Sequence, residues 1–431
     1  TLLRRKEYLY AVKKLRFSRD GRLFAKIPGP KGLPILEKLF MFSRELYKTY
    51  KGVIHLHALN FRCVNIYDPE DMALQTILSK TQFHEKEIPY GFLKPWLREG
   101  ILTSNGKKWH YRRKMLTPSF HFNILKKFVQ IFVVHMEDLI KTLETEEVSN
   151  DKTDLYELTS HVALKIVCGE LVFWNEALLD GLQKELLTRN TTNKIDAGTG
   201  IDENKRHLAM IDLLFENERN NNIDESGIRE EVDTFLFAGF DTITTALMFF
   251  IMRIANEPTV QEKIQEEIDN IFGKSTRTPT VEDLNEMKYT DSCIKEALRI
   301  YPPVPYISRH LKEETVLGGY RIPANTQVNI MIYDLHHRED IYPEPKKFIP
   351  ERFLPINQLK RHPYAYLPFS GGPRNCLGQK FAMLEMKTLI SGIIRNYYIE
   401  PVTKPEELVF TANLILRTTK PIYARFRKRN L

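Results

Sequence analysis

In the stretch PFSGGPRNCLG, Pro368 to Gly378, a single thiol, Cys376, stands inside a loop of glycine, proline and arginine, with Phe369 seven residues upstream. A thiolate that binds a metal must be deprotonated, shielded from water and supplied with backbone N–H groups that tune its electron donation. The loop carries parts suited to that task. Gly371, Gly372 and Gly378 permit backbone angles, and a close approach to a flat ligand, that side chains would block. Phe369 can cover the sulfur, and Arg374 can reach an anionic group at the ligand's edge. The following segment, CLGQKFAMLEMKTLI, reads as an amphipathic helix, which puts Cys376 at a helix N-terminus where a negative sulfur is favoured. Taken alone, a cysteine in apolar context is most often an inert core residue.

Two further groups invite chemistry. AGFDT, Ala238 to Thr242, sets a glycine and an aspartate in the middle of an apolar stretch. Glycine inside a helix costs about 1 kcal/mol relative to alanine, and a buried carboxylate without a partner costs more. A purely structural account has Thr242 and Thr245 bonding back to carbonyls one turn earlier, with Gly239 allowing close packing. In KEALRIYPPVP, Glu296 and Arg299 lie three apart on one helical face before Pro302 and Pro303 end the helix. Such pairs are common on surfaces, where they contribute a few tenths of a kcal/mol. Ala297, Leu298 and Ile300 suggest burial here, and a buried pair needs further partners; IPERFLP offers Arg352 as a third member.

These residues need a scaffold, and most of it reads as helix. The stretch IREEVDTFLFAGFDTITTALMFFIMRIANEP opens after the capping types Asp224 and Ser226, closes at Pro258, and from Phe235 to Ile254 is apolar almost all round, as a helix running through a core would be. A minor β component is expected: a hairpin over Gly52 to Glu70, and strand, Pro-Ala-Asn turn and strand over Gly318 to His336. With 42% apolar residues in 431, no low-complexity tract, no repeat and no linker, one large globular domain is the expectation. The four cysteines are far apart and none has a Cys-x-x-Cys spacing, which points away from zinc or a disulfide framework and towards a reducing compartment or a cytosol-facing surface.

The net charge of +8 concentrates in residues 1–26 and in GKKWHYRRKMLTPSF, Gly106 to Phe120. Such patches meet anionic lipid, an acidic protein or nucleic acid, or are simply solvated. Nucleic acid is the weakest of these, because no nucleic-acid-binding pattern accompanies the charge. No run reaches the roughly 18 apolar residues of a spanning helix, so no transmembrane segment is expected. Thr1-Leu2-Leu3 leading into Arg4-Arg5-Lys6 resembles the trailing edge of an apolar segment, and IPGPKGLP, Ile27 to Pro34, stiffens the entry to the folded part.

Position for position, Phe369, Gly372, Arg374, Cys376 and Gly378 resemble the haem-binding loop of the cytochrome P450 superfamily. AGFDT resembles its oxygen-activating helix, Glu296 and Arg299 its Glu-x-x-Arg pair, PERF the arginine completing that network, and Trp109 with Arg113 its Trp-x-x-x-Arg element. EEVDTFLFAGFDT, LRIYPPVPYISR and RHPYAYLPFSGGPRNCLGQKFAMLE look closest to family 4, the fatty-acid ω-hydroxylase group with many arthropod members.

The resemblance implies a mainly α fold with a minor β region, a single large haem domain over residues 27–431, preceded by a basic membrane-proximal segment at 1–26. It implies haem b with Cys376 as the axial iron ligand, and Thr242 and Asp241 as the catalytic pair that organises water and delivers protons, with Gly239 and Ala238 leaving room for dioxygen. Trp109, Arg113, Arg309 and Arg374 become the propionate partners; Phe369 and Gly378 belong to the haem site, while Glu296, Arg299 and Arg352 lock the loop. Implied partners are NADPH-cytochrome P450 reductase, met by the basic face of Lys107, Lys108 and Arg112, cytochrome b5, an apolar small-molecule substrate and a membrane surface, with the protein on the cytosolic face of the endoplasmic reticulum. Many family 4 members esterify haem through a glutamate where this chain has Ala238, so covalent haem is not expected.

The region between 170 and 227 is shorter than the resemblance implies, and it holds at most two short helices, in EALLDGLQKELLTRN and KRHLAMIDLLFENERN. Two functional classes follow. One is a monooxygenase acting on fatty acids, insect hormones or xenobiotics. The other is a haem-thiolate binding protein without turnover, because a pocket lacking its roof cannot exclude water.

Overall fold

A computed structural model describes residues 44, 53–58, 61–69, 77–80, 84–149, 152–168, 210–317, 320–359, 361–412 and 414–429. The basic N-terminal segment, the proline-rich stretch after it and EALLDGLQKELLTRN lie outside the described residues. The expected second short helix is present over Met210–Arg219.

The central helix, Glu225–Ala255, starts where the side chain of Asp224 accepts the Gly227 N–H at 2.8 Å; Ser226 lies within its first turn. From Ile243 to Ala255 every residue is buried, as the unbroken apolar pattern requires. From Phe235 to Thr242 the helix is only half-buried, because that length walls a cleft. Its length and composition would suit a membrane span, yet 56% of its most apolar window is buried, so the fold uses it as core. Around it pack the helices Phe122–Ser149, 155–168, Pro258–Phe272, Lys288–Ile300 and Gln379–Asn396, whose apolar faces form one continuous core.

Eleven short strands are described: β1 (Val53–Ala58), β2 (Phe61–Ile66), β3 (Thr153–Asp154), β4 (Ile307–Leu311), β5 (Thr315–Leu317), β6 (Tyr320–Ile322), β7 (Thr326–Ile330), β8 (Tyr397–Pro401), β9 (Phe410–Ala412), β10 (Leu416–Thr418) and β11 (Tyr423–Lys428). The expected hairpin is β1 with β2, in antiparallel register. Around the Pro-Ala-Asn turn both strands form, with Asn325 at φ 57°, but they separate: β6 pairs with β5, while β7 joins β2 in parallel and β4 antiparallel. The largest sheet runs β1-β2-β7-β4 and packs its apolar side on a second, smaller core.

The basic stripe at Gly106–Leu116 is only partly free, which corrects the expected docking face. Arg112 is 6% exposed and reaches Glu230 at 3.6 Å and Glu231 at 3.8 Å, while Lys108 pairs with Glu230 at 2.8 Å. Lys107, Lys108 and Lys114 are exposed, Lys108 despite its ion pair. Lys108 and Arg112 thus help fix this helix to the start of the central helix, and of the expected docking residues only Arg112 is buried. Burial pushes the Glu231 carboxyl up to about 7, against the opposing pull of the Ile101 N–H and Arg112. Because the folded state holds this proton more tightly than the unfolded state, stability falls as pH rises from about 4.5 towards 7. Glu231→Gln is expected to flatten that slope and recover about 2–3 kcal/mol above pH 7, measured by urea unfolding at pH 5 and pH 8.

Candidate functional site

The cysteine loop is built on one close backbone approach. Gly372 has φ +69°, and a Cβ there would lie 1.9 Å from the Leu78 carbonyl oxygen, so only glycine serves. The loop then closes on itself: Cys376 N–H donates to the Phe369 carbonyl at 2.9 Å and Asn375 N–H to that of Gly372 at 3.0 Å. Gly378 caps the helix Gln379–Asn396, and a Cβ on it would meet nothing nearer than Phe120 at 3.8 Å, leaving its cleft side open.

Cys376 has its exposed side in the cleft. Burial of the sulfur among protein groups pushes the thiol up from its ordinary value, against the Gly378 N–H bonded to it and the nearby Arg113 cation. A metal cation on the open side of the sulfur would favour its thiolate form.

Behind the loop lies the expected ion-pair network. Arg299 donates to both carboxylate oxygens of Glu296 at 2.7 Å, with both side chains fully buried. Arg352 Nε lies 3.4 Å from Glu296, which also accepts the Ile349 N–H at 3.0 Å. One link escaped the sequence reading. Arg299 donates to the His336 carbonyl at 2.8 Å, and His336 Nε2 accepts the Leu367 N–H at 2.8 Å, two residues before Phe369. Burial keeps His336 neutral, as an acceptor nitrogen requires. The pair thus holds the entrance of the cysteine loop through one imidazole.

The half-buried length of the central helix brings Ala238, Gly239 and Thr242 to the cleft that Cys376 also lines, a space of about 2030 Å³ counted with the solvent at its mouth. Thr242 Oγ1 donates to the Ala238 carbonyl at 2.7 Å and Thr245 Oγ1 to that of Asp241 at 2.9 Å, so both back-bonds of the structural account are present. Gly239 is needed for packing: a Cβ would fall 2.8 Å from Val167. Asp241 stands apart from the lining; its carboxylate pairs with Arg417 of β10, on the flank of the helix.

At one end of the cleft four cations gather. Arg374 donates to the carbonyls of His84 and Ser104 at 2.9 and 2.6 Å and lies 4.4 Å over the Trp109 ring. Arg113 donates to the Asn375 carbonyl at 2.8 Å and to its side chain at 2.7 Å. Arg309 is 1% exposed and its Nε has no partner. Lys86, which the sequence reading missed, is buried beside them with Nζ 4.4 Å from the Tyr90 ring centre. Burial lowers the pKa of all four, Arg374 to about 9 and Lys86 well below the usual lysine value, and neighbouring cations add to the effect at those two. No aspartate or glutamate is among the described lining residues of the cleft. Phe369, Trp109, Arg113, Arg309, Arg374, Gly239, Gly378, Thr242 and Cys376 thus meet around one cleft, and Asp241 does not line it.

A thiol opening onto a largely apolar cleft that a helix also lines, and cations with an orphaned guanidinium N–H at one edge, fit a flat metal complex bearing carboxylates. The comparisons agree with that chemistry. The family model described as Cytochrome P450 matches residues 31–192 and 177–426. Cytochrome P450 4V2 of Homo sapiens is 35% identical over 465 aligned positions, covering 93% of this chain and 86% of the relative. Cytochrome P450 4c21 of Blattella germanica is 33% identical, covering 95% and 94%, and Cytochrome P450 4c3 of Drosophila melanogaster is 34% identical, covering 93% and 89%. The chain belongs to the cytochrome P450 family. It is thereby a monooxygenase whose cofactor is haem with a cysteine thiolate on the iron. The alignments run over more positions than the chain's 431 residues, so these relatives carry residues with no counterpart here.

Proposed function

We propose that this protein inserts one oxygen atom from dioxygen into an apolar substrate, with Cys376 as the iron ligand, using NADPH-derived electrons from a flavoprotein reductase. When bound, haem supplies the oxidising chemistry, and thiolate donation favours O–O cleavage. The chain's own residues supply the rest. Trp109, Arg113, Arg309 and Arg374, joined by Lys86, would hold the two propionates, with the orphaned Arg309 Nε–H as one free donor. Thr242, whose hydroxyl proton is committed to the Ala238 carbonyl, keeps its lone pairs for the protons of a water in the cleft. Asp241, beside it on the helix flank, would pass protons inward from the solvent side. Phe235, Phe237, Leu414 and Ile415 give the substrate an apolar enclosure.

The observation that carries this reading is the cleft itself, lined by Cys376, by Thr242 and by four cations, with no aspartate or glutamate among its described lining residues. The apolar lining suits an apolar substrate, and fatty acids, insect hormones and xenobiotics are the classes the family resemblance allows. Exposed Lys107 and Lys114 suit an acidic redox partner, an attraction that salt weakens. We assign the protein to the cytosolic face of the endoplasmic reticulum membrane on the strength of the basic segment at 1–26 and its family.

A second reading, haem-thiolate binding without turnover, draws on the residues its relatives carry and this chain lacks. Incubation of the haem-loaded protein with NADPH, reductase and lauric acid separates the two. Hydroxylated lauric acid is the expected product; NADPH consumption that ends only in peroxide overturns the first reading in favour of the second.

A further inference from the structure

The guanidinium of Arg417 bridges two turns of the central helix, donating to the Asp241 carboxylate and to Thr245 Oγ1, and lies 5.4 Å from the Tyr156 ring centre. Neither partner of the ion pair lines the cleft; the side chains are 17% and 28% exposed. Arg417 belongs to β10, which pairs with β9 in the register Leu416 with Ala412 and Arg417 with Thr411. The residues just before β10, Leu414 and Ile415, do line the cleft. The next residue, Leu416, is fully buried, and its N–H is fixed to the Pro303 carbonyl at 2.8 Å. Within four residues, then, one hairpin presents two apolar side chains to the cleft and one cation to the carboxylate beside Thr242.

We propose that Arg417 is a positioning residue through which this hairpin couples occupancy of the cleft to the placement of Asp241. This rests on the reading of the cleft as the haem and substrate site. A ligand packing on Leu414 and Ile415 orders the strand end that carries Arg417 and so tightens its hold on the carboxylate. By linkage the effect is reciprocal: releasing the carboxylate must change ligand affinity although neither Asp241 nor Arg417 touches the ligand. The intact pair pre-organises the hairpin, so its loss adds an ordering cost to binding and weakens it. In the direction of catalysis, a filled cleft holds the Asp241 carboxylate more firmly in place than an empty one, which ties the placement of the proton-handling group to the presence of substrate.

The test compares two ligands of the haem iron by Soret titration of the haem-loaded protein: imidazole, too small to reach the hairpin, and 1-phenylimidazole, which fills the cleft. Arg417→Ala is expected to weaken 1-phenylimidazole about 5-fold, the low end of ordinary coupling, and to leave imidazole unchanged. Asp241→Asn should do the same, the double variant should go no further, and Arg417→Lys should restore most of the loss. Should Arg417→Ala not fold, Thr245→Val removes one of the two acceptors and is expected to weaken 1-phenylimidazole about 2-fold. Equal weakening of both ligands, additive losses in the double variant, or no change in any variant overturns the proposal. A wild-type protein with this binding pattern but no hydroxylation overturns the proposed function and leaves the coupling standing; an active hydroxylase with flat binding does the reverse.

Discussion

Cys376→Ala should abolish the red-shifted Soret band of the reduced, carbon monoxide-bound protein and lower turnover by far more than the 10–100-fold typical of losing a group that merely supports a metal ligand. The reasoning is local. The loop's closure uses the Cys376 N–H and the Phe369 carbonyl, and its sharpest turn uses Gly372 against Leu78; neither involves the sulfur. Alanine therefore leaves the backbone cradle, the cationic edge and the apolar walls in place while removing the one thiol in the described lining of the cleft. Far-ultraviolet circular dichroism should match the wild type, and any haem that still binds should show an unshifted band. Persistence of the red-shifted band in the variant would mean that another group ligates the iron, and the account of the site would fall.

How much of this was legible beforehand follows from distance along the chain. The turn at Gly372, the thiol four residues later and the helix after it lie within one short stretch, where spacing alone implies a cradle. Glu296 and Arg299 are three apart, and their apolar neighbours gave away their burial. Asp241 is the opposite case. Its sequence neighbours contain no base, and the partner that decides where its carboxylate points is Arg417, 176 residues on, in a three-residue strand with no local signal. Likewise Lys86 and His336 carry no motif; they matter only because a cleft edge and a loop entrance are folded against them. The strands around Asn325 were readable as strands from composition, but pairing is a contest among edges, and β7 found β2 and β4. The same holds for the basic helix: its charges were countable, yet Glu230 and Glu231 had already taken Arg112 and Lys108.

Glu296→Ala should be the most destabilising single change outside the cleft, by about 3–5 kcal/mol, because it strands a cation that cannot reach water. Arg299 is fully buried, and without Glu296 its remaining hydrogen-bond partners are the carbonyls of His336 and Lys347, at 2.8 and 3.3 Å, which like the Tyr342 ring 5.0 Å away carry no charge. The same deletion frees the Ile349 N–H and leaves Arg352 without its carboxylate. Since the His336 carbonyl is one of the two hydrogen-bond acceptors left to Arg299, and His336 orients Leu367 through its ring, the disturbance should reach the cysteine loop and appear as faster haem loss. Glu296→Gln keeps acceptor and shape and should cost less, while Glu296→Leu with Arg299→Met removes both charges and should recover at least half of the loss. Urea unfolding of the four proteins, with haem transfer to an excess of apomyoglobin as the second measure, decides between a desolvated charge and a mere packing role. If the double apolar variant is as unstable as Glu296→Ala, then packing and not the unpaired arginine sets the cost.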